Sequence, residues 1–382
     1  MLGIVEEVLR AATSGRRARA EALLAEHPEV AQDRWVRLTA GRAWDGDVNA
    51  PGGPLDRAPL LYACFSVFDT TALARDLLAR GADPNATFLN EYGQMPALYG
   101  AAGVRHDPEL TRALLEAGAN PNDGESAYHA TEAPDAACLK LVLEFGAVPE
   151  PIVLAHALDH DRIEHAQVLL AAGADPRELL PFAVRRGRGP ETLRLLHAHG
   201  ADLEHRGGET WRGDVPLRTA YQHAVLRGQS DNARTLAELG ANTEVDAADR
   251  AVAELRDDLP RALDVDQQEV VILAALRGRM ARVVELLGPD FRGVVGGSPE
   301  GALLEHVSWV GDPALAHFLL EHGARPVDLG WAAHGSQHHA LDGRDYVGVA
   351  EALVGAGATV DRAHLEQADG ALAEWLAARL PR

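Results

Sequence analysis

Cysteine is almost missing from this 382-residue chain, which carries only Cys64 and Cys138. Both sit among apolar residues. They read as small buried side chains in a reducing compartment, and the shortage excludes a disulfide framework or a thiolate metal site. Aromatic residues make up only 5% of the chain, so large rings do little of the packing. No uninterrupted apolar run reaches the length of a membrane span, and the start Met1-Leu2-Gly3-Ile4-Val5-Glu6-Glu7 has neither a basic n-region nor an apolar export core. Cytoplasmic residence is the expectation. Positive charge is short as well: 36 Lys and Arg face 57 Asp and Glu, a formal net charge of -21. A field of that sign repels nucleic acid and anionic lipid unless a basic patch overrides it. The densest basic stretches, at 185–188 and 277–279, are short and fall at helix connections, so neither nucleic acid nor membrane is expected as a partner.

What is plentiful is apolar residues, at 47%, together with 37 Gly and 21 Pro. That mixture describes a folded chain interrupted by frequent turns, and it favours many small helical units over a few broad sheets.

One pattern recurs. An apolar stretch ends in Leu-Leu or a close substitute, and after two residues, or three in the last of these copies, comes Gly-Ala: LLARGADPN from Leu77, LLEAGANPN from Leu114, VLEFGAVPE from Val142, LLAAGADPR from Leu169, and LLHAHGADL from Leu195. Further endings fall at Gly240-Ala241, Gly323-Ala324 and Gly357-Ala358, and Leu287-Gly288 lacks the alanine. Adjacent leucines belong to one apolar stripe of a helix, and glycine supplies the left-handed residue that closes it. Downstream Asp, Asn and Pro direct the chain into a turn. Starts fit as well, since Asp107-Pro108, Gly189-Pro190 and Asp312-Pro313 place proline where the first helical turn tolerates its missing amide. Each unit is too small to cover its own apolar face and must stack on its neighbours.

On these endings the chain resembles the ankyrin-repeat family, as a divergent, bacterial-like member. The family's threonine-proline-leucine-histidine motif survives only as Ala58-Pro59-Leu60-Leu61, Met95-Pro96-Ala97-Leu98 and Val215-Pro216-Leu217. The ending glycines at 81, 118, 146, 173, 200, 240, 288, 323 and 357 are separated by 37, 28, 27, 27, 40, 48, 35 and 34 residues. Three of these lie near the family period of about 33 residues. The 28- and 27-residue units leave room for two helices and little finger, whereas 40 and 48 imply enlarged loops at 203–215 and 245–267. The fold expected is therefore all-α, an ankyrin-like helical repeat solenoid with short or irregular finger loops. Repeats would run over 51–360. Residues 1–50, with helix-like stretches at 20–25 and 31–40, would form an N-terminal helical cap, and 361–382, bearing Leu365, Leu372 and Trp375, a C-terminal one.

The resemblance implies that the first helix of each unit lines a concave face, and that the residue before its small residue meets a partner. That row is Tyr62, Tyr99, His129, His223, His306 and His339. Tyr and His offer flat contact area and hydrogen-bonding atoms together. Finger loops bring Tyr92, Glu125, Trp211, Arg212 and Asp214 toward the same edge, and Tyr221 lies beside His223. The bland reading is that such residues cap loops or stack within the inner ridge.

Nothing in the sequence specifies a cofactor. The three histidines at 334, 338 and 339 lack cysteine spacing or a helical His-Glu-x-x-His pattern, so no metal is expected. The glycine-rich stretch at 292–297 lacks the phosphate-loop spacing, and no serine nucleophile elbow is present. Protein recognition on the concave face is the expected function, with a partner whose surface is neutral or basic. The alternative is a small organic ligand or substrate held in a pocket on that face, where Glu125, His129, Asp214 or His223 would supply acid-base groups.

Overall fold

The computed structural model describes residues 2–90, 93–208, 216–260, 263–274, 279–287, 302–321, 323–338 and 344–380. They are mostly helical, in paired antiparallel helices, and the chain divides into two compact units, Met1–Asp202 and Leu203–Arg382.

The first unit opens with helices Leu2–Ala12, Arg17–Glu26 and Arg34–Thr39. Five helix pairs follow: Pro59–Phe65 with Thr71–Ala79, Ala97–Tyr99 continued by one π-helical turn Gly100–Val104 with Pro108–Glu116, Ser126–His129 continued by Ala130–Glu132 with Ala137–Glu144, Pro151–Asp159 with Ile163–Ala171, and Leu179–Arg185 with Pro190–Ala198. A finger stands between the first two pairs as an antiparallel hairpin, Thr87–Asn90 against Gly93–Pro96, with Phe88 opposite Met95.

The repeated ending is a helix C-cap of one design. In the first copy the Gly81 N–H donates to Leu78 O at 3.0 Å and the Ala82 N–H to Leu77 O at 2.9 Å. Those are the two bonds of a Schellman motif, and they use up carbonyls that a helix end leaves unpaired. The pair recurs at Gly118-Ala119, Gly146-Ala147, Gly173-Ala174, Gly200-Ala201, Gly240-Ala241, Gly323-Ala324 and Gly357-Ala358. Each of these glycines has φ between 87° and 107°, the left-handed region. Alanine follows because the next side chain is buried against the leucine of the last turn: Ala82 is 4% exposed and Leu77 0%. Starts are equally local. Asp107 Oδ1 accepts from the Glu109 and Leu110 N–H groups at 3.0 and 2.9 Å, with Pro108 at the first helical position.

Repeats are also clasped to one another. Asn85 Nδ2 donates to Gly118 O at 3.1 Å, while Asn85 Oδ1 accepts from the Asn120 N–H at 2.8 Å. The same two bonds join Asn49 to Gly81 and Asp83, and Asn122 to Gly146 and Val148. A turn-forming asparagine thus also fixes the register of the following repeat.

The second unit pairs Ala220–Leu226 with Ser230–Leu239, Val265–Ala274 with Met280–Leu287, Ala302–Val310 with Pro313–Glu321, Gly330–His338 with Tyr346–Gly355, and Arg362–Gln367 with Gly370–Ala377. Its core gathers Val252, Val271, Leu304, Val307, Leu319, Leu353 and Leu376. The enlarged loop expected at 245–267 is corrected, since it contains a helix of its own, Ala247–Glu254. The longer segment surrounds Arg218. Its guanidinium is buried and paired with Asp249 (Nε to Oδ2, 2.7 Å), Asp264 (Nη2 to Oδ2, 2.5 Å) and Asp266 (Nη1 to Oδ2, 3.4 Å), so the added segment supplies counter-charges from two stretches. At the other enlarged spacing, Arg206–Gly207 pairs with Arg218–Thr219 as a short hairpin.

Candidate functional site

Among the residues singled out from sequence, Tyr99 and His129 come together in the first unit, with ring centroids 4.8 Å apart. Both sit at the end of a first helix, one repeat apart. Gly103 makes the contact possible. A Cβ there would stand 2.5 Å from His129 Cβ and 2.7 Å from the Tyr99 ring, so any side chain would push the two apart.

His129 is clamped by two carboxylates from its own hairpin: its Nδ1 lies 2.7 Å from Glu132 Oε1 and its Nε2 3.3 Å from Glu125 Oε2. Burial disfavours a charged imidazole, but the two carboxylates outweigh it and hold the pKa up at about 9. His129 is therefore an imidazolium donating both N–H groups, which makes it an orienting cation and not a general base near neutral pH. Burial also raises the Tyr99 phenol, and it pushes Tyr128 up to about 12, so both remain neutral donors.

Four residues of this cluster escaped the sequence reading: Tyr128, Glu132, His156 and His160. The Tyr128 ring stacks on His156 at 3.7 Å and 20°. His156 Nε2 lies 3.6 Å from Glu132 Oε1 and 3.2 Å from His160 Nε2. Desolvation, followed by the neighbouring His160, pushes the His156 pKa down to about 3, so this ring is neutral. Two signals for it were in the sequence. His156 precedes Ala157, the same position that picked out Tyr99 and His129, and His156 and His160 are spaced one helical turn apart. Glu132 had no such signal, because only stacking of one repeat on the next brings it to His156.

No protein-family model matches the sequence, and no curated protein matches it. Among solved structures the chain is similar to the ankyrin repeat domain of human ASB11. The two share 20% identity, at a TM-score of 0.43, over 62% of this chain and 98% of that one. That likeness does not bear on a bacterial lineage.

Other candidates fall elsewhere. The expectation that Tyr62 and His223 present themselves to a partner is corrected, because both are 0% exposed. Tyr62 packs 5.0 Å from Trp35, and its hydroxyl donates to Gly52 O at 2.9 Å and accepts from the Leu55 N–H at 3.2 Å. The residues ahead of the first hairpin roof it over. His223 lies in the second unit with its Nε2 2.9 Å from Gly207 O, where it anchors the short hairpin. Tyr221, on the same helix, is half-buried. Tyr92, Trp211, Arg212, Asp214 and His339 lie outside the described residues, as do the His306 and His338 side chains. Of the basic stretch at 185–188, Arg186 and Arg188 pair with Asp159 and Asp161, each at 2.5 Å, so their charge is spent within the fold. Among the described residues no helix is long and apolar enough to cross a membrane.

Proposed function

We propose that the chain is a protein-recognition scaffold of ankyrin-like design, docking a neutral or basic segment of a partner protein along the finger-side edge of its first unit. Val148 is the observation that supports this most. It follows Gly146-Ala147 at the position where other repeats carry Asp83, Asn120 and Asp175, and its N–H donates to Asn122 Oδ1 as the Asp83 and Asn120 N–H groups donate to Asn49 and Asn85. The fold uses only its backbone, yet the side chain is a valine standing 58% exposed. Ile152, four residues on, is equally exposed, and Leu89 on the finger hairpin is 78% exposed. Single exposed apolar residues are ordinary on protein surfaces, but Val148 in a turn and Ile152 in the first turn of the next helix are close in sequence, and with Leu89 on the finger hairpin they offer apolar contact area to a partner. The net charge of -21 favours a basic partner. Within this reading Tyr99, His129 and Tyr221 remain candidate contacts, as do Trp211, His306 and His339 on sequence grounds. The helical caps at 1–50 and 361–382 and cytoplasmic residence belong to the same proposal.

The test is affinity co-purification with in-cell crosslinking, comparing the native chain with Leu89→Asp and Val148→Asp. A partner captured by the native chain and lost with both variants supports the edge as the docking surface. Capture that neither substitution weakens rejects it. A small-molecule pocket is the second reading, favoured by the polar cluster around Tyr99 and His129, and a retained metabolite in native mass measurement would support it instead.

A further inference from the structure

Helix Pro151–Asp159 and its C-cap residue His160 place two imidazoles one turn apart on the same side, their Nε2 atoms 3.2 Å from each other. The preceding hairpin brings Glu132 Oε1 to 3.6 Å from His156 Nε2, and one ligating atom from each of the three residues lies within 4.8 Å of the others. Around a tetrahedral ion with bonds of about 2.0–2.1 Å, neighbouring ligand atoms stand roughly 3.3–3.4 Å apart. Two of the three edges, at 3.2 and 3.6 Å, bracket that value, and the Glu132–His160 edge lies within 4.8 Å.

Hydrogen bonding fixes which way the His156 lone pair points. Its Nδ1 faces Thr131 Oγ1 at 2.8 Å and Tyr128 O at 3.1 Å, and the Thr131 hydroxyl gives its own proton to Tyr128 O at 2.7 Å. Both neighbours therefore accept, Nδ1 carries the hydrogen, and the Nε2 lone pair is directed at His160 and Glu132. Nδ1–H bound to a carbonyl is the outer-shell arrangement that orients metal-binding histidines. Tyr128 stacked on the ring fixes its plane, and His129 Nδ1–H, donated to Glu132 Oε1, orients the carboxylate. Without a cation, a hydrogen on His160 Nε2 bridges to His156 Nε2, and the His129 Nδ1–H is donated to Glu132 Oε1.

We propose that Glu132, His156 and His160 bind a divalent transition-metal ion of the zinc class, with a fourth coordination position left open. Two imidazole nitrogens and one carboxylate oxygen suit zinc and its neighbours in the first transition row, whereas magnesium and calcium require oxygen ligands throughout. Binding replaces the bridging hydrogen. His160 passes through solvent from its Nε2–H to its Nδ1–H tautomer, so the proton ends on Nδ1 and the ring stays neutral while the freed Nε2 lone pair forms the metal bond, and His156 Nε2 and the Glu132 carboxylate donate the electron pairs they already present. The site does not depend on the protein-recognition reading. An ion held there would pin two repeats together and leave its fourth position to an exchangeable water.

The full chain, stripped with chelator and returned to buffer, is titrated with Zn2+ by calorimetry against a competing chelator, and with Co2+ by visible absorption. One equivalent should bind, with the d–d bands of a four-coordinate Co2+ complex. His160→Gln, at a half-exposed helix end where folding is least at risk, should weaken that equivalent by at least about 100-fold, since losing an outer-shell partner alone costs 10–100-fold. Glu132→Gln should do the same, His160→Cys should retain binding through its thiolate, and His199→Gln, on an exposed histidine of another repeat, should leave it unchanged. Circular dichroism checks each fold. Absence of a saturable equivalent in the native chain would overturn the proposal, as would equal binding by native protein and a folded His160→Gln.

Discussion

Asn85 holds Gly118 and Asn120 from one repeat away: its amide donates to the Gly118 carbonyl at 3.1 Å and accepts the Asn120 N–H at 2.8 Å. The bonds are solvent-exposed, and each contributes on the order of 1 kcal/mol. Asn85→Ala should therefore destabilise the first unit by about 1–2 kcal/mol. Hydrogen exchange gives the local readout: the Asn120 amide should lose protection while the Val148 amide, held by Asn122, keeps it. Equal loss at both sites would mean that the clasps are not independent.

Two glycines should respond to alanine for different reasons. Gly118 has φ +96° and nothing within 4 Å of a new Cβ, so Gly118→Ala costs only the left-handed backbone penalty, about 1–2 kcal/mol. Gly103 is crowded by His129 and Tyr99, and Gly103→Ala should cost at least as much, about 1–3 kcal/mol, through overpacking. Only Gly103→Ala should also move the ring resonances of Tyr99 and His129 in NMR spectra. Unmoved resonances would show that the close approach at Gly103 does not position that pair.

In the second unit Arg218 faces Asp249, Asp264 and Asp266. Burial alone would raise the Asp249 pKa, but Arg218 and Gln267 outweigh it and hold it below the usual value. A depressed carboxylate stabilises the fold above its unfolded pKa of about 3.9, and that contribution is lost as pH falls through the folded value. Arg218→Met removes the cation and leaves the carboxylates buried together, at a cost of about 3–5 kcal/mol at pH 7. Protonation then relieves the repulsion, so the gap between native and variant in urea melts should narrow from pH 7 to pH 4. A gap independent of pH would show that packing, and not charge, sets the loss.

Cys64 and Cys138 are both buried, and burial pushes their thiols up to about 12 and about 11. A thiol so far from ionisation is a poor nucleophile. Iodoacetamide at pH 8 should leave both unmodified in the folded chain and alkylate both in denaturant, as read by intact mass. Rapid alkylation of either without denaturant would place it at the surface.

The helix endings were legible in the sequence because every bond that makes them joins residues at most five apart. Leu77, Leu78, Gly81 and Ala82 specify their own geometry, and no distant part of the chain is needed to see it. The same holds for Asp107-Pro108 at a helix start. What only the tertiary structure decided depends on stacking. Tyr62 and Tyr99 occupy equivalent positions, yet one is sealed beneath Trp35 and the other meets His129, because their neighbours come from different stretches of chain. Glu132 reaches His156 across 24 residues, and Asn85 reaches Gly118 across 33. Local sequence set the repeating unit through bonds that span at most five residues, while the packing of each repeat on the next decided which side chains stayed in the core and which met across the repeats.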